Sequence, residues 1–167
     1  MKNKNKTVWS TRFNKSTSKI FEKIGSSIDV DKRLFEEDIF GSIVHTQMLI
    51  KQKIINKKIG NKIIFGLKKI EKEIKKNKFN FSKKYEDIHL NIEKRLFSII
   101  GEDAGYLHIA RSRNDQVITD FKLWTKKASK EIVRNLNNLI KSFLKKSNDN
   151  IETFMPGFTH LKNAQPI

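Results

Sequence analysis

The chain of 167 residues contains no cysteine, which excludes both a disulfide framework and a thiolate metal centre and fits a reducing compartment. It also has no apolar run approaching the ~20 residues that span a bilayer. The first ten residues, MKNKNKTVWS, are basic and polar with no apolar stretch behind them. Neither secretion nor membrane insertion is expected, and the expected location is the cytoplasm. Acidic residues and arginine are scarce as well. Of 35 basic residues only six are arginine, and 18 acidic residues oppose them, leaving a net charge of +17.

A charge of that size invites a nucleic-acid reading. The shortage of arginine argues against it, because phosphate and base recognition favour the planar, bidentate guanidinium. The lysines are also scattered over every segment instead of forming one stripe. Lysine, asparagine and isoleucine are abundant together, and these residues share A/T-rich codons, so a biased composition coating an ordinary fold is the simpler account. Neither nucleic acid nor membrane is an expected partner. A selected polyanion-binding surface is the alternative.

No strand pattern, internal repeat or low-complexity tract is visible, and apolar spacing predicts helices throughout. Leu34, Ile39, Ile43, Val44 and Ile50 mark a first helix over 31–53, with Asp29 or Asp31 as its N-cap. Ile59, Ile63, Leu67, Ile70 and Ile74 mark a second over 56–76, whose lysines form a solvated face. Ile88, Ile92, Leu96 and Ile99 mark a third over 85–100, stopped at Gly101. The longest pattern runs from Asn114 to about Lys146 with Val117, Phe121, Trp124, Ala128, Ile132, Leu136, Leu139 and Phe143 on one stripe. A helix of ~50 Å is long for a globular domain and predicts packing against other helices. A loop over 148–157 and the segment FTHLKNAQPI follow.

Two segments carry candidate chemistry. LHIARSRNDQ, over 107–116, sets Arg111, Ser112, Arg113 and Asn114 in the loop and first turn of the long helix. A helix N-terminus offers unpaired N–H groups and about half a positive charge, which with two arginines suits a carboxylate. A plain capped helix start is the alternative. MPGFTHLKNAQP, over 155–166, sets Thr159 and His160 just past a Pro-Gly turn, and a histidine in a loop suits proton transfer near neutral pH. His89 and Glu93 stand four apart on one helix face, where an i,i+4 hydrogen bond is possible. His45 and His108 fall in no metal spacing, and no metal is expected.

Taken together, WSTRF (9–13), SSIDVDKRLFEEDI (26–39), EDIHLNIEKRL (86–96), LHIARSRNDQVITDFKLW (107–124) and MPGFTHLKNAQPI (155–167) resemble the N-terminal portion of argininosuccinate lyases, within the fumarase/aspartase superfamily. The resemblance covers nearly the whole chain. It implies an all-α fold, with a helical N-terminal lyase domain over 1–111 and the start of a central bundle of long helices over 112–167. It further implies a homotetramer and a cofactor-free, reversible elimination that turns argininosuccinate into arginine and fumarate in arginine biosynthesis. Carried over by motif, Ser27, Ser112, Arg113, Asn114 and Thr159 would contact substrate. His160 would serve in proton transfer, and His89 would be a helper that positions substrate or base. The family's proton-transferring serine belongs to a later glycine- and serine-rich loop outside these residues. The chain departs from the family in WSTRF for WGGRF, in Gly25 for an asparagine, in Ile109 for a threonine, and in Lys162 and Asn163 for glutamine and arginine. An inactive remnant and a non-catalytic helical protein are the alternatives.

Overall fold

The computed structural model describes residues 19–166, so the WSTRF segment lies outside the described residues. The elements, in order, are α1 (Lys19–Gly25), α2 (Ile28–Asp31), α3 (Phe35–Lys51), α4 (Lys57–Lys75), α5 (Ile88–Ile100), α6 (Arg113–Asn148), β1 (Pro156–Thr159) and β2 (Lys162–Pro166). Short 3₁₀ turns at Lys32–Leu34, Lys83–Tyr85 and Gly101–His108 connect them. The fold is all-α with one small hairpin. The chain divides into two compact units, 1–124 and 125–167.

The three expected helices of the first unit form near their expected bounds. Asn56 caps α4 by accepting from the Lys58 N–H at 2.8 Å, and Asp87 caps α5 by accepting from Leu90 at 2.7 Å. Gly101, with φ +70°, ends α5 in a conformation only glycine adopts without strain. The start of α3 differs from expectation. Neither Asp29 nor Asp31 caps it; the preceding residue is Leu34, with no side-chain cap. Asp31 instead accepts from the Ser27 hydroxyl at 2.6 Å and the Ile88 N–H at 3.2 Å, so long-range pairing takes the carboxylate from the local cap. Glu36, Glu37 and Asp38 in the first turn of α3 complement its positive end.

The core lies where α3, α4 and α5 meet. Ile39 and Leu49 from α3, Ile63, Leu67 and Ile70 from α4, and Ile88, Ile92 and Leu96 from α5 are all essentially solvent-free, which accounts for the period read in the sequence. Two glycines of α4 set how closely the helices approach. A Cβ on Gly66 would stand 2.4 Å from Leu96 Cδ1, and one on Gly60 2.4 Å from Ile50 Cδ1. Arg95 and Glu73 join α5 to α4 by two bonds of 2.8 Å; as the pair is partly exposed, it contributes at most about 1 kcal/mol.

The end of the chain also differs from expectation. The segment over 156–166 forms an antiparallel hairpin in which Thr159 pairs with Lys162 and Phe158 with Asn163. Its connection, His160–Leu161, has φ of +48° and +64°, the signature of a type I′ turn. No Asn-Gly marks that turn, so sequence reading leaves it as loop. In the first part of α6 the buried residues are polar, and the apolar stripe lies outside the first unit's core. Phe121 is 54% exposed, whereas Gln116 and Asp120 are buried.

Gly66→Ala is expected to destabilise the protein by about 1 kcal/mol net, because overpacking against buried Leu96 costs ~1–3 kcal/mol and outweighs the helix propensity gained. Gly105→Ala, where an added Cβ meets nothing within 4 Å, should leave the denaturation midpoint unchanged or raise it.

Candidate functional site

The loop before α6 is held from below. The His45 Nε2–H donates to the Ile109 carbonyl at 2.9 Å, and Ile109, in place of the family's threonine, packs its side chain against the core. Ala110 follows with φ +55°, a strained turn for a residue with a Cβ. The chain then directs Arg111 inward, where both terminal nitrogens donate to Ser42 Oγ at 3.2 and 3.3 Å.

Ser112 caps α6. Its hydroxyl accepts from the Asn114 N–H at 3.1 Å, while Asp115 accepts from the Ser112 N–H at 3.3 Å. The two bonds form a capping box with aspartate in the usual glutamate position, so one of the N–H groups expected to meet an anion is already engaged. Ser112 and Asn114 are exposed, Arg113 half-buried. The Arg113 guanidinium donates to Glu93 Oε2 and Gln116 Oε1, both at 3.0 Å, and its Nε stands 3.8 Å from Asp87. Each terminal nitrogen keeps a second N–H.

Ser27 reaches the same neighbourhood through residues 86–87. The Glu86 carbonyl accepts from the N–H groups of Ser27 and Ile28, at 2.9 and 3.0 Å, and from the Ser26 hydroxyl at 3.2 Å. Asp87, next in the chain, faces Arg113. Ser27 and Arg113 therefore flank one turn. Thr159 and His160 belong to the second unit, where both are exposed at the hairpin's tip. Lys162 and Asn163 are strand residues of that hairpin. At Gly25 an added Cβ meets nothing within 4 Å, so the departure there relieves no crowding.

His89 does not pair with Glu93, which is taken by Arg113. It lies 2% exposed, with Nδ1 at 3.1 Å from Asp38 Oδ1 and 3.5 Å from Asp120 Oδ2. Gln116 Nε2 also donates to Asp38 Oδ1 in a short bond. Burial alone would push the His89 imidazole down; the hydrogen bond and charge of Asp38, with Asp87 and Asp120, outweigh it and hold the ring's pKa above its ordinary value. Burial likewise opposes ionisation of Asp38, but the donors His89 and Gln116 keep it below the usual carboxylate range. Burial and the charge of Asp38 push Asp120 up to about 7.

As carboxylates, Asp38 and Asp120 each leave one buried oxygen without a donor. A proton on Asp120 supplies one, since protonated Asp120 hydrogen-bonds Asp38. Asp38, His89 and Asp120 bring three potential metal-ligand atoms within 4.8 Å of one another. The donors in place match this cluster to protons and not to a cation: Gln116 and His89 already point N–H groups at Asp38, and Arg111 places its charge near both carboxylates.

Beside the cluster, α3 and the first part of α6 frame a cleft of about 530 Å³ with Phe40, His45, Arg111, Gln116 and Asp120 in its lining. A slightly larger cleft, about 580 Å³, lies over α4 and α5 at Lys58, Lys62 and Phe65 and contains no candidate site residue.

Sequence reasoning missed Asp38, Gln116 and Asp120. The available signal was polar residues at helical spacing on buried faces: Asp38, Ser42 and Thr46 along α3, and Gln116 and Asp120 along α6.

A buried acid–histidine–arginine cluster beneath an arginine-rich helix start, on an all-α frame, suits a protein that handles carboxylates. Residues 11–167 match a family described as lyase, and the chain belongs to that family. The argininosuccinate lyase of Pelagibacter ubique (strain HTCC1062) is 68% identical over 168 residues, which cover 100% of this chain and 36% of the relative. That of Ehrlichia chaffeensis (strain Arkansas) is 51% identical over 160 residues, 96% of this chain and 34% of the relative. That of Bartonella bacilliformis is 47% identical over 160 residues, with the same coverage. The chain thus spans about a third of the length of these curated relatives.

Ser112→Ala is expected to cost about 1 kcal/mol of stability, and Ser112→Gly only a few tenths, read as shifts in the urea midpoint. An unchanged midpoint in Ser112→Ala would show that the cap contributes nothing.

Proposed function

We propose that this chain is the N-terminal part of an argininosuccinate lyase, which reversibly splits argininosuccinate into arginine and fumarate in arginine biosynthesis. The observation that carries the proposal is 68% identity, along the entire chain, to a protein of that name. The site chemistry supports it. The substrate carries carboxylates, and elimination through an aci-carboxylate concentrates negative charge that preorganised donors must meet. Arg113, Ser112 and Asn114 supply cationic and neutral donors, and Ser27, whose hydroxyl donates to Asp31, stands on the other side of the 86–87 turn. Within the second unit, exposed Thr159 and His160 stand side by side, a hydroxyl for substrate and an imidazole for proton transfer. Buried His89 acts on the ligand through neighbours. No cofactor is required for this chemistry.

Assembly into a homotetramer belongs to the same proposal. Along the second unit's share of α6, Ile132, Leu136, Leu139, Ile140 and Phe143 are each at least half exposed, an apolar stripe that helices of other subunits would cover. No helix among the described residues is long and apolar enough to cross a membrane, in keeping with a cytoplasmic enzyme.

The test is fumarate release from argininosuccinate by the complete protein, followed by ultraviolet absorbance. Arg113→Lys should lower kcat/KM on the order of 10²-fold, ~3 kcal/mol of transition-state binding, since an ammonium cannot reproduce the guanidinium's planar fork. Absence of any turnover by the wild-type complete protein would refute the proposal.

A further inference from the structure

The three segments over 26–39, 86–96 and 107–124 meet below the surface, and what joins them is a continuous run of side chains. Arg113 donates to Gln116 Oε1 at 3.0 Å, Gln116 Nε2 donates to Asp38 Oδ1, and the same oxygen faces His89 Nδ1 at 3.1 Å. Gln116 is the pivot. Its amide is a dipole with one acceptor end and one donor end, and only one orientation serves both neighbours: oxygen toward arginine, which can only donate, and nitrogen toward a carboxylate, which can only accept. Gln116 is 5%, Asp38 1% and His89 2% exposed, so water cannot replace the bonds that join these three.

We propose that Arg113, Gln116, Asp38 and His89 form one relay, buried from Gln116 inward, that sets the orientation and charge of the anion-binding surface at the start of α6, with Asp38 and Gln116 as positioning residues that never touch the ligand. The inference rests on the anion-binding reading of Arg113 given above.

Geometry and charge both require the coupling. Arg113 has Glu93 and Asp87 on its other sides; without Gln116 Oε1, these two carboxylates alone would decide where its guanidinium points. The groups facing His89 are Asp38 from α3, Asp120 from α6, and Asp87 and Asp31 from the segments preceding α5 and α3. Arg111 balances Asp38 and Asp120 from beyond. Every titratable group around the ring is an acid, and Asp38 is the one in hydrogen-bond contact. Replacing Asp38 by a neutral amide leaves the imidazole buried among weaker or more distant acids, where burial favours the uncharged form. The imidazole then gives up its proton at a lower pH than in the wild type.

The experiment uses the complete protein, with fumarate as the binding probe in calorimetry and argininosuccinate turnover measured in parallel, at about pH 6 and about pH 8, on either side of the ordinary histidine pKa. Gln116→Met keeps the side chain's length and removes both polar ends. It should weaken fumarate about tenfold at both pH values and raise KM with little change in kcat. Asp38→Asn should bind fumarate close to wild type at the lower pH and about tenfold more weakly at the higher, a steeper pH dependence than that of the wild type. A merely structural role would lower the melting temperature and leave these affinities and their pH dependence unchanged, and that result overturns the relay. Should Asp38→Asn fail to fold, unchanged fumarate affinity in Gln116→Met alone overturns it. A wild type that binds fumarate without turning over argininosuccinate would sink the lyase reading and leave the relay standing. Turnover with unaffected variants would do the reverse, and a wild type that does neither overturns both.

Discussion

Removing a carboxylate from water costs several kcal/mol unless donors and opposite charge replace the water, and Asp38 is 1% exposed. Everything around it answers that requirement. The first turn of α3 aims its positive end at the carboxylate, His89 and Gln116 point N–H groups at one oxygen, and Arg111 supplies a charge that Ser42 holds in place. The donors come from α5, α6 and the loop before α6, so solvating Asp38 also locks these elements to α3. Breaking such a group by removing one partner is costly because the remaining charge stays buried. That dependence makes the cluster a constraint on the fold as well as a feature of it.

The same constraint explains why the first turns of α6 bury polar residues and leave apolar ones outside. Gln116 and Asp120 face Asp38 and His89, which turns Phe121 and Ile118 outward. Arg113, one turn before Gln116, is thereby placed at the rim with its guanidinium shared between Glu93 and Gln116. Above the cluster are exposed Ser112 and Asn114; flanking it, through the 86–87 turn, is Ser27. The donors of the proposed carboxylate site thus rest on a charge-matched base that orients them before any ligand arrives.

The helices were legible because their burial follows a 3.6-residue period in isoleucine and leucine. Ile63, Leu67, Ile70 and Ile74 read correctly from spacing alone, as did Ile88, Ile92 and Leu96. The family was legible from ARSRNDQ and PGFTHL in order. The cap at α3 was misread because Asp31 has a partner nearly sixty residues away, and local rules hold no information about that. The hairpin was missed because its turn places His160 and Leu161, not glycine, at positive φ. Helical spacing offers His89 a partner one turn along, at Glu93. Its actual partner is on another helix, and the hint was that Asp38, Ser42 and Thr46 share the spacing of a buried face.

Stability as a function of pH, compared between the complete wild-type protein and Asp120→Asn, tests the buried cluster most directly. Asp120 carries a folded-state pKa of about 7 against an ordinary value near 3.8. The folded protein therefore holds a proton that the unfolded chain has released, and the stability this confers is full below about pH 4 and lost as pH rises through about 7. His89, raised above 6.5, loses its contribution only at the upper edge of that window, and Asp38, lowered below 3.8, only beneath it. The amide variant removes the Asp120 titration and keeps a donor toward Asp38. The unfolding free energy of wild type relative to Asp120→Asn should fall steadily from about pH 4 to about pH 7. A difference that stays constant across that range would mean that Asp120 shares no proton with Asp38 and that the charge balance described for the cluster is wrong.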